Sequence, residues 1–500
     1  MEMRACLATP PAMLTDLYQL TMACAYWHSG TDALDASFHL SFRRNPFNGG
    51  FSVACGLAQA IEFLEQMRFT EDDLAYLATL TGNDGEALFG AEFLSYLGDF
   101  RFTCDVDAVP EGTVVFPREP ILRVTGPIVA CQLAETTLLN IINFQTLVAT
   151  KAARVCIAAQ GAPVIEFGLR RAQGPDGGLS ASRAAYIGGC VGTSNVLAGQ
   201  RYGIPVGGTH AHSWVMAFPS EIGSFEAYAR ALPNNCTLLV DTYDTLAGVQ
   251  NAIEVGRRLE DRGHRMIGIR IDSGDLAWFS RRAREMLDEA GMGHVKVYAS
   301  NELDEYLIES LVDQGAAIDV WGVGTKLASA DGQSALGGVY KLSAVRRPGG
   351  EWEPRLKVSE QTAKVTTPGI LGVRRFVVDG LFAGDMVYDE IAPPAPGSCE
   401  MIDPEDSTRR KRFCDTPSDE LLVPVFRAGK RVYDTPDAVT ARTRARDQLS
   451  MFDPSIKRFL NPHRYPVGLE RGLYDLRTRL ILEARGLDAR AMEGPEEEGR

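Results

Sequence analysis

Short apolar runs alternate with segments of helical length from residue 162 onward, and this alternation limits the fold more than any other feature of the chain. The runs are Ala162 to Phe167, Ile204 to Val206, Thr237 to Val240, Met266 to Ile271, His294 to Ala299, Ile318 to Val323 and Gly337 to Leu342. Runs of this kind between helical segments predict parallel β/α units, which build either a barrel or a doubly wound sheet.

Nearly every predicted strand in this series ends in polar residues. The clusters are Glu166 with Arg170-Arg171, Thr209 with His212, Asp241-Thr242, Arg270 to Asp275, Ser300-Asn301, and Gly322 to Thr325. A barrel gathers all of its strand ends on one rim, whereas an open sheet gathers only those at its switch point. We therefore expect an α/β fold with a (β/α) barrel and a functional site on that rim.

The rest of the chain predicts further domains, since 500 residues with 45% apolar content can bury more than one core. Residues 1–126 combine helical segments with short, proline-interrupted strands and predict an N-terminal α+β domain. Residues 127–344 form the predicted catalytic barrel. Residues 345–500 form a C-terminal extension, which we expect to pack partly on the N-terminal domain. Within it, we expect Glu493 to Arg500 to be a disordered tail.

Composition excludes several classes of protein. No run approaches the roughly 18 apolar residues of a membrane-spanning helix, and the N-terminus lacks the layout of a secretory signal. The ten cysteines are scattered without a C-x-x-C pair, which indicates reduced thiols in a cytoplasmic protein. A formal net charge of -14 argues against a nucleic-acid partner. A phosphate ligand would therefore need a local basic pocket.

The stretch Gly207 to Ser213 allows three chemistries: metal ligation, acid-base catalysis, or nucleophilic attack by a histidine. Zinc would require a third ligand near His210 and His212, and the local sequence offers none. A histidine nucleophile needs a neutral ring with one nitrogen held by an acceptor. Asp241, at the end of the next strand, suits that role.

Two other strand ends suit charged ligands. Arg270 and Asp272 are two residues apart, so they point to the same side of a strand. The alternatives are that they form a structural ion pair, or that Asp272 caps a helix. Gly322-x-Gly324-Thr325 is placed where barrel enzymes commonly bind a phosphate, and Lys326 beside it strengthens that interpretation.

At this point the sequence resembles a known family, the nicotinate phosphoribosyltransferases. The resemblance covers about residues 14 to 370 and is carried by Leu14 to Gln19, Phe42 to Phe47, Gly168 to Gly178, Gly208 to Ser213, Arg270 to Asp275 and Gly322 to Thr325, in that order. It implies an irregular (β/α) barrel like that of type II phosphoribosyltransferases, and a homodimer with shared active sites.

The resemblance also implies a reaction. Nicotinate and 5-phosphoribosyl 1-diphosphate would give nicotinate mononucleotide and diphosphate in NAD biosynthesis, with ATP as a co-substrate and Mg²⁺ as a cofactor. His212 matches the histidine that ATP phosphorylates, and Asp241 resembles the acid that supports it. Asp272 matches an acid near the ribose and its magnesium.

Further positions match the family's substrate-binding residues. Tyr18 would stack on the nicotinate ring across a dimer interface, Thr209 and Arg270 would bind nicotinate, and Thr325 with the preceding glycines would hold the 5-phosphate. Among these positions, the basic residues Arg43, Lys341, Lys357 and Lys364 would surround the diphosphate. The full set of predicted substrate-binding residues is Tyr18, Arg43, Arg170, Thr209, Arg270, Gly322, Gly324, Thr325, Lys341, Lys357 and Lys364. Ile370 departs from the pattern, since relatives often carry a basic residue there.

Three other functions stay open at this stage. A nicotinamide or quinolinate phosphoribosyltransferase would share the reaction type, although a neutral amide would gain little from Arg270. A sugar-phosphate aldolase or isomerase would use the phosphate loop but would leave His212 and Asp241 without a role for ATP. A metabolic binding protein would keep the pocket without turnover.

Overall fold

The computed structural model of the protein describes residues 11–360, 365–394 and 397–487. The chain divides into two compact units. The first unit comprises Met1–Thr146, Ala335–Pro436 and Asp447–Arg500, and the second comprises Leu147–Ser334 and Asp437–Arg446.

The strands are short in the second unit and longer in the first. In chain order they are β1 (Asp35–Phe42), β2 (Ser52–Val53), β3 (Asp105–Ala108), β4 (Val114–Val115), β5 (Leu122–Pro127), β6 (Val164–Glu166), β7 (Gly192–Thr193), β8 (Thr237–Leu239), β9 (Gly268–Ile271), β10 (Lys296–Ala299), β11 (Val320–Val323), β12 (Gly338–Arg346), β13 (Trp352–Pro354), β14 (Leu371–Val378), β15 (Leu381–Asp389), β16 (Ser398–Ile402), β17 (Arg410–Cys414), β18 (Ser418–Glu420), β19 (Val423–Arg427), β20 (Lys430–Arg431) and β21 (Val467–Glu470).

Helices separate most of these strands. They are α1 (Leu17–Ser29), α2 (Leu57–Gln66), α3 (Glu71–Leu77), α4 (Ala91–Asp99), α5 (Ile128–Leu133), α6 (Glu135–Ala158), α7 (Gly174–Ile187), α8 (Val196–Tyr202), α9 (His212–Met216), α10 (Glu221–Ala231), α11 (Thr245–Glu260), α12 (Leu276–Glu289), α13 (Glu305–Asp313), α14 (Thr325–Ala328), α15 (Ala438–Ser450) and α16 (Arg471–Ala484). In the part of the chain that the structure describes, no helix is long and apolar enough to cross a membrane.

The second unit contains the predicted parallel β/α series. Its strand order is β7-β6-β11-β10-β9-β8, and every neighbouring pair is parallel. Val206 extends the series through a single parallel bridge to Thr193 of β7. The α/β prediction is confirmed, with two differences: the run Ile204 to Val206 forms one bridge instead of a strand, and β7 was not predicted because Gly192-Thr193 is not apolar.

The predicted seventh run of the barrel, Gly337 to Leu342, was assigned wrongly. It forms β12, which pairs antiparallel with β1 and β13 in the first unit. Polar residues such as Lys341 and Arg346 interrupt its apolar pattern, and that pattern is typical of an antiparallel strand with one solvated face. The predicted domain limits therefore shift: the first boundary falls between Thr146 and Leu147, inside α6, and the second between Ser334 and Ala335.

In the described residues, the first unit is built on two large sheets and a small sheet of β2 and β4. One has the order β13-β12-β1-β5-β3-β19-β20 and is antiparallel throughout, so β19 of the C-terminal part pairs with β3 of the N-terminal part. The other has the order β17-β16-β21-β15-β14-β18 and packs a core of Phe376, Met386, Met401 and Phe413. The predicted tail, Glu493 to Arg500, lies outside the described residues.

A buried group of charges supports this second sheet. Arg375 donates to Asp385 through Nε at 2.8 Å, and the Tyr465 hydroxyl donates to the same Asp385 oxygen at 2.8 Å. Glu119 lies beside Asp385, and one of its carboxyl oxygens is buried without a donor facing it. Burial raises the pKa of Glu119 well above its ordinary value of 4.5, and the Asp385 carboxylate adds to the shift. The raised pKa favours a protonated Glu119, whose carboxyl O–H can donate to the Asp385 carboxylate.

We expect Glu119→Gln to be at least as stable as the natural protein at pH 8. A carboxyl whose pKa is raised by folding stabilises the fold fully below 4.5 and loses that contribution as pH rises. Glutamine does not titrate, so its melting temperature relative to the natural protein should increase from pH 5 to pH 8. Asp385→Asn is the contrasting variant, since it leaves the Arg375 charge buried and should cost about 3 kcal/mol or more. A Glu119→Gln protein that is relatively weaker at pH 8 than at pH 5 would contradict a protonated Glu119.

Candidate active site

A cleft opens at the carboxyl ends of the parallel strands of the second unit. Its lining residues lie in or directly after strands β6, β7, β9, β10 and β11, or belong to the segment after Val206. They are Phe167, Arg170, Arg171, Ser194, Gly208, Thr209, His210, Ala211, Arg270, Asp272, Ser300, Asn301, Glu302, Gly322, Gly324 and Thr325. The cleft therefore gathers seven of the residues predicted from sequence, namely Arg170, Thr209, Arg270, Asp272, Gly322, Gly324 and Thr325. Strand ends that are far apart in the sequence meet at one rim, as the barrel interpretation requires.

Arg270 is the principal cation inside the cleft. Its Nη1 donates a hydrogen bond to the Thr209 hydroxyl, and its Nε is buried without an acceptor. Burial lowers the pKa of Arg270, although Asp272 and Asp241 oppose the shift; an arginine stays charged in either case. In the described chain, Arg270 forms no ion pair with Asp272, so the structural ion pair considered above is absent. Arg270 thus keeps donor capacity for an anionic ligand.

Three hydrogen bonds fix Asp272 and the turn that carries it. Its side chain accepts one from the Ser300 hydroxyl. Its backbone N–H donates to Asp241 Oδ2 at 2.8 Å, and the Ser273 hydroxyl donates to the same oxygen at 2.6 Å. Asp241 therefore fixes the turn that carries Asp272, and Ser300 sets the orientation of the carboxylate.

His212 begins the short helix α9 and faces Asp272. Its Nε2 lies 3.8 Å from Asp272 Oδ2, and its Nδ1 lies 3.2 Å from the Thr242 hydroxyl oxygen. The predicted contact between Asp241 and the imidazole is wrong: in the described residues, Asp241 bonds the Asp272–Ser273 turn instead, and its Oδ1 is buried without a partner. Asp241 reaches His212 only indirectly, by positioning Asp272.

The predicted phosphate loop lies on the opposite part of the same rim. Gly322 is required by close packing, since a Cβ at this position would lie 2.5 Å from the Phe167 ring. The Thr325 hydroxyl donates to Glu302 at 3.1 Å. Lys326 does not face the cleft as the sequence indicated; its amino group is paired with Asp304 at 2.7 Å. The cation that strengthened the anion interpretation is therefore already neutralised.

His210 completes the ring of strands. The hydrogen-bond ladder runs from the Val206 bridge to β8 and leaves these two edges unpaired in the described residues. His210 Nε2 spans the gap by accepting the Leu239 N–H at 3.2 Å. The His210 imidazole packs edge-on against the Tyr228 ring, with the two ring centroids 4.8 Å apart. Burial lowers the pKa of His210 from 6.5 to about 4, so the ring is neutral and able to accept.

Two replacements of His210 distinguish its role as a hydrogen-bond acceptor from the effect of its protonation on stability. His210→Phe leaves the buried Leu239 N–H without a partner and should cost about 1–3 kcal/mol, whereas His210→Gln offers an oxygen where Nε2 lies. Because the folded pKa of about 4 is below the ordinary 6.5, the natural protein should lose stability as pH falls between those values. Melting curves from pH 7.5 to pH 4.5 should be flatter for His210→Gln. A glutamine variant as unstable as the phenylalanine one would contradict the acceptor role.

The remaining predicted residues lie in the first unit. Arg43 and Lys341 line one cleft there with Arg118 and Arg477. Burial lowers the pKa of Lys341; the nearby Glu135 opposes the shift, and Arg43 and Lys357 add to it. Tyr18 is on α1 and is 49% exposed. Lys364 lies outside the described residues.

The donor set at the second unit's cleft fits magnesium. Asp272 lines the cleft, and the Asp241 Oδ1 oxygen has no partner. Mg²⁺ commonly takes only one or two protein carboxylates and completes its octahedron with water and phosphate oxygens. No group of three or more His, Cys, Asp or Glu side chains suited to a metal occurs in the described ranges, so a metal bound here would depend on the substrate for further ligands.

Comparison with known proteins decides the family. The chain matches three family models: the nicotinate phosphoribosyltransferase N-terminal domain over residues 13–143, the nicotinate phosphoribosyltransferase family over 163–349, and the nicotinate phosphoribosyltransferase C-terminal domain over 373–477. It is 43% identical over 476 residues to a nicotinate phosphoribosyltransferase of Bacillus subtilis, covering 94% of this chain and 95% of that protein.

The chain belongs to the nicotinate phosphoribosyltransferase family. A Mycobacterium tuberculosis member is 42% identical over 463 residues, covering 92% of this chain and 91% of that protein. The crystal structure of human nicotinic acid phosphoribosyltransferase superimposes with a TM-score of 0.81 at 33% identity, covering 93% of this chain and 99% of that one. The protein is therefore an enzyme of the nicotinate phosphoribosyltransferase family, with its type II phosphoribosyltransferase-like fold.

Residues without a predicted role also line the cleft of this family member. Phe167 presents a ring beside Gly322, Ser300 orients Asp272, and Glu302 accepts from Thr325. Asn301 is held at a positive φ of 124°, a strained conformation for a residue with a side chain. Their position directly after predicted strands β6 and β10 was the available signal, but strand-end position alone does not assign a role.

Proposed function

We propose that the protein transfers the phosphoribosyl group of 5-phosphoribosyl 1-diphosphate to nicotinate, giving nicotinate mononucleotide and diphosphate. ATP would drive this reaction through a phosphohistidine at His212. The observation that carries the proposal is Arg270, a half-buried guanidinium whose buried Nε has no partner, next to Thr209 in a cleft that also holds a fixed carboxylate. A planar guanidinium binds a carboxylate through two parallel hydrogen bonds, and nicotinate carries such a carboxylate.

The cleft supplies the other groups that the transfer needs. Phe167 offers an aromatic face for the pyridine ring, and Gly322, Gly324 and Thr325 are suited to hold the ribose 5-phosphate. As diphosphate leaves, positive charge develops at the anomeric carbon, and Asp272 is placed to stabilise it. Asp272 would also hold Mg²⁺, which supplies charge neutralisation for the leaving diphosphate.

Two further features support the finer points. Arg43, Lys341 and Lys357 of the first unit concentrate positive charge suited to diphosphate, and Arg170 adds an exposed cation at the rim of the second unit's cleft. Leu14, Leu17 and Tyr18 are 56%, 52% and 49% exposed around the start of α1, and an apolar surface of this kind suits a homodimer interface. Tyr18 would then serve the site of the partner subunit.

The proposed role of ATP is based on the geometry of His212. The ring is partly exposed, contacts Asp272, and begins a helix at the rim of the cleft. A phosphoryl group on this ring would add negative charge and acceptor oxygens beside Asp272. Its formation and hydrolysis could therefore change the affinity of the site for diphosphate and product in alternate half-cycles.

A substrate competition assay tests the proposal. The purified enzyme is given phosphoribosyl diphosphate, Mg²⁺ and ATP with equal concentrations of ¹³C-labelled nicotinate, nicotinamide and unlabelled quinolinate, and the products are separated by mass. The label is needed because quinolinate, after losing CO2, would also yield nicotinate mononucleotide. Labelled nicotinate mononucleotide should dominate, and omission of ATP should slow its formation. Unlabelled nicotinate mononucleotide or nicotinamide mononucleotide as the main product, or no mononucleotide at all, would refute the proposed substrate.

A further inference from the structure

Among the polar contacts of the His212 ring in the described residues, the one with the Thr242 hydroxyl is the shortest. Thr242 follows Asp241, three residues after β8 ends, and its hydroxyl oxygen lies 3.2 Å from His212 Nδ1. The other ring nitrogen, Nε2, lies 3.8 Å from Asp272 Oδ2. Both ring nitrogens therefore face a partner, and the partners differ in chemistry. A carboxylate can only accept a hydrogen bond, whereas a hydroxyl can donate or accept.

This difference selects one form of the neutral ring. In the neutral ring that nucleophilic attack requires, a proton on Nε2 is favoured, because a lone pair directed at a carboxylate would be repelled. The Nδ1 lone pair then points at Thr242, whose hydroxyl donates to it. Asp241 cannot replace Thr242 in this role, since a carboxylate has no hydrogen to donate to the Nδ1 lone pair and its Oδ2 instead accepts two hydrogen bonds from the Asp272–Ser273 turn.

We propose that Thr242 is a positioning residue that aims the nucleophilic nitrogen of His212; this inference rests on the proposed phosphohistidine. Nδ1 attacks the γ-phosphorus of ATP, a nitrogen–phosphorus bond forms, and the phosphorus–oxygen bond to ADP breaks with its electron pair leaving on ADP. The Nε2 proton stays on the ring, and Asp272 balances the positive charge that the substituted imidazole gains. The Thr242 hydroxyl, released from Nδ1, is then free to donate to a phosphoryl oxygen.

A matched pair of variants isolates the hydroxyl. Thr242→Val keeps the branched shape and removes the hydroxyl, and Thr242→Ser keeps the hydroxyl and removes a methyl group. The first measurement is the single-turnover rate at which γ-labelled ATP phosphorylates the full-length enzyme. We expect Thr242→Val to be slower by about tenfold, the value of one hydrogen bond, and Thr242→Ser to stay within about threefold of the natural protein.

A second measurement does not depend on ATP. Histidine-selective ¹⁵N labelling reports which ring nitrogen carries the proton, and a His212→Gln protein assigns the His212 signals among the seven histidines. The natural protein and Thr242→Ser should have the proton on Nε2, and Thr242→Val should give a mixture of both forms.

The two measurements separate the inference from the proposed function. If ATP leaves no phosphate on the natural protein, the ATP coupling is refuted, and the ¹⁵N signals alone decide whether Thr242 orients the ring. If Thr242→Val keeps the natural phosphorylation rate and ring form, the role of Thr242 is refuted. A serine variant that behaves like the valine one would equally refute it, because the effect would then come from packing.

Discussion

Arg270→Met should lower kcat/KM for nicotinate by about a hundredfold or more. Methionine fills much of the same volume but removes the charge-assisted hydrogen bonds to the substrate carboxylate, which we estimate at roughly 3 kcal/mol. The loss should appear mainly as a higher KM for nicotinate, and the KM for phosphoribosyl diphosphate should change little. Steady-state kinetics with each substrate varied in turn measure both.

Comparison substrates and variants make this prediction specific. Nicotinamide lacks the negative charge, so the preference for nicotinate over nicotinamide should fall by a similar factor in Arg270→Met. Arg270→Lys should recover only part of the loss, because an ammonium group cannot form the two parallel hydrogen bonds of a guanidinium. Arg282→Met is the control, since Arg282 lies on the exposed face of α12 and pairs with Glu285. An Arg270→Met enzyme that keeps its preference for nicotinate would place the carboxylate elsewhere.

His212→Ala should abolish the stimulation of transfer by ATP while slow transfer without ATP persists. The imidazole is the proposed phosphoryl acceptor, whereas the groups that bind nicotinate and ribose phosphate belong to other strand ends. Initial rates with and without ATP, together with ADP release, measure the effect directly. We expect equal rates in the variant and no ADP release above background.

The matched control is His264→Ala. His264 precedes β9, at the opposite end of the strand from Arg270, and bonds Asn234 through Nδ1 at 2.9 Å. This variant should keep the full ATP stimulation. If ATP still accelerates His212→Ala, the nucleophile must be another residue and the proposed cycle is wrong.

Much of the candidate site could be predicted because barrels concentrate function at strand ends. Thr209, Arg270, Asp272 and Thr325 each follow or end an apolar run, and the parallel order of the strands brings them to one cleft. That argument needs only local sequence and the rule that parallel strands share one carboxyl edge.

What escaped prediction depends on long-range pairing or on side-chain direction. The apolar residues of Gly337 to Leu342 suggested another barrel strand, although β12 also carries polar residues, and its antiparallel pairing with β1 places it in the first unit. Asp241 and Thr242 are neighbours, yet Thr242 meets His212 and Asp241 faces the Asp272 turn. Lys326 similarly turns to Asp304. Sequence spacing places such residues at a rim, but it does not choose their partners.

The most direct test of the central claim is to locate the phosphate that ATP leaves on the natural enzyme. The protein is incubated with γ-labelled ATP and Mg²⁺, digested at neutral to alkaline pH to preserve an acid-labile phosphate, and mapped by mass spectrometry. We predict a single labelled peptide with the phosphate on His212, discharged when phosphoribosyl diphosphate and nicotinate are added. Label on any other residue, or ATP stimulation without any labelled residue, would contradict a phosphohistidine at this rim.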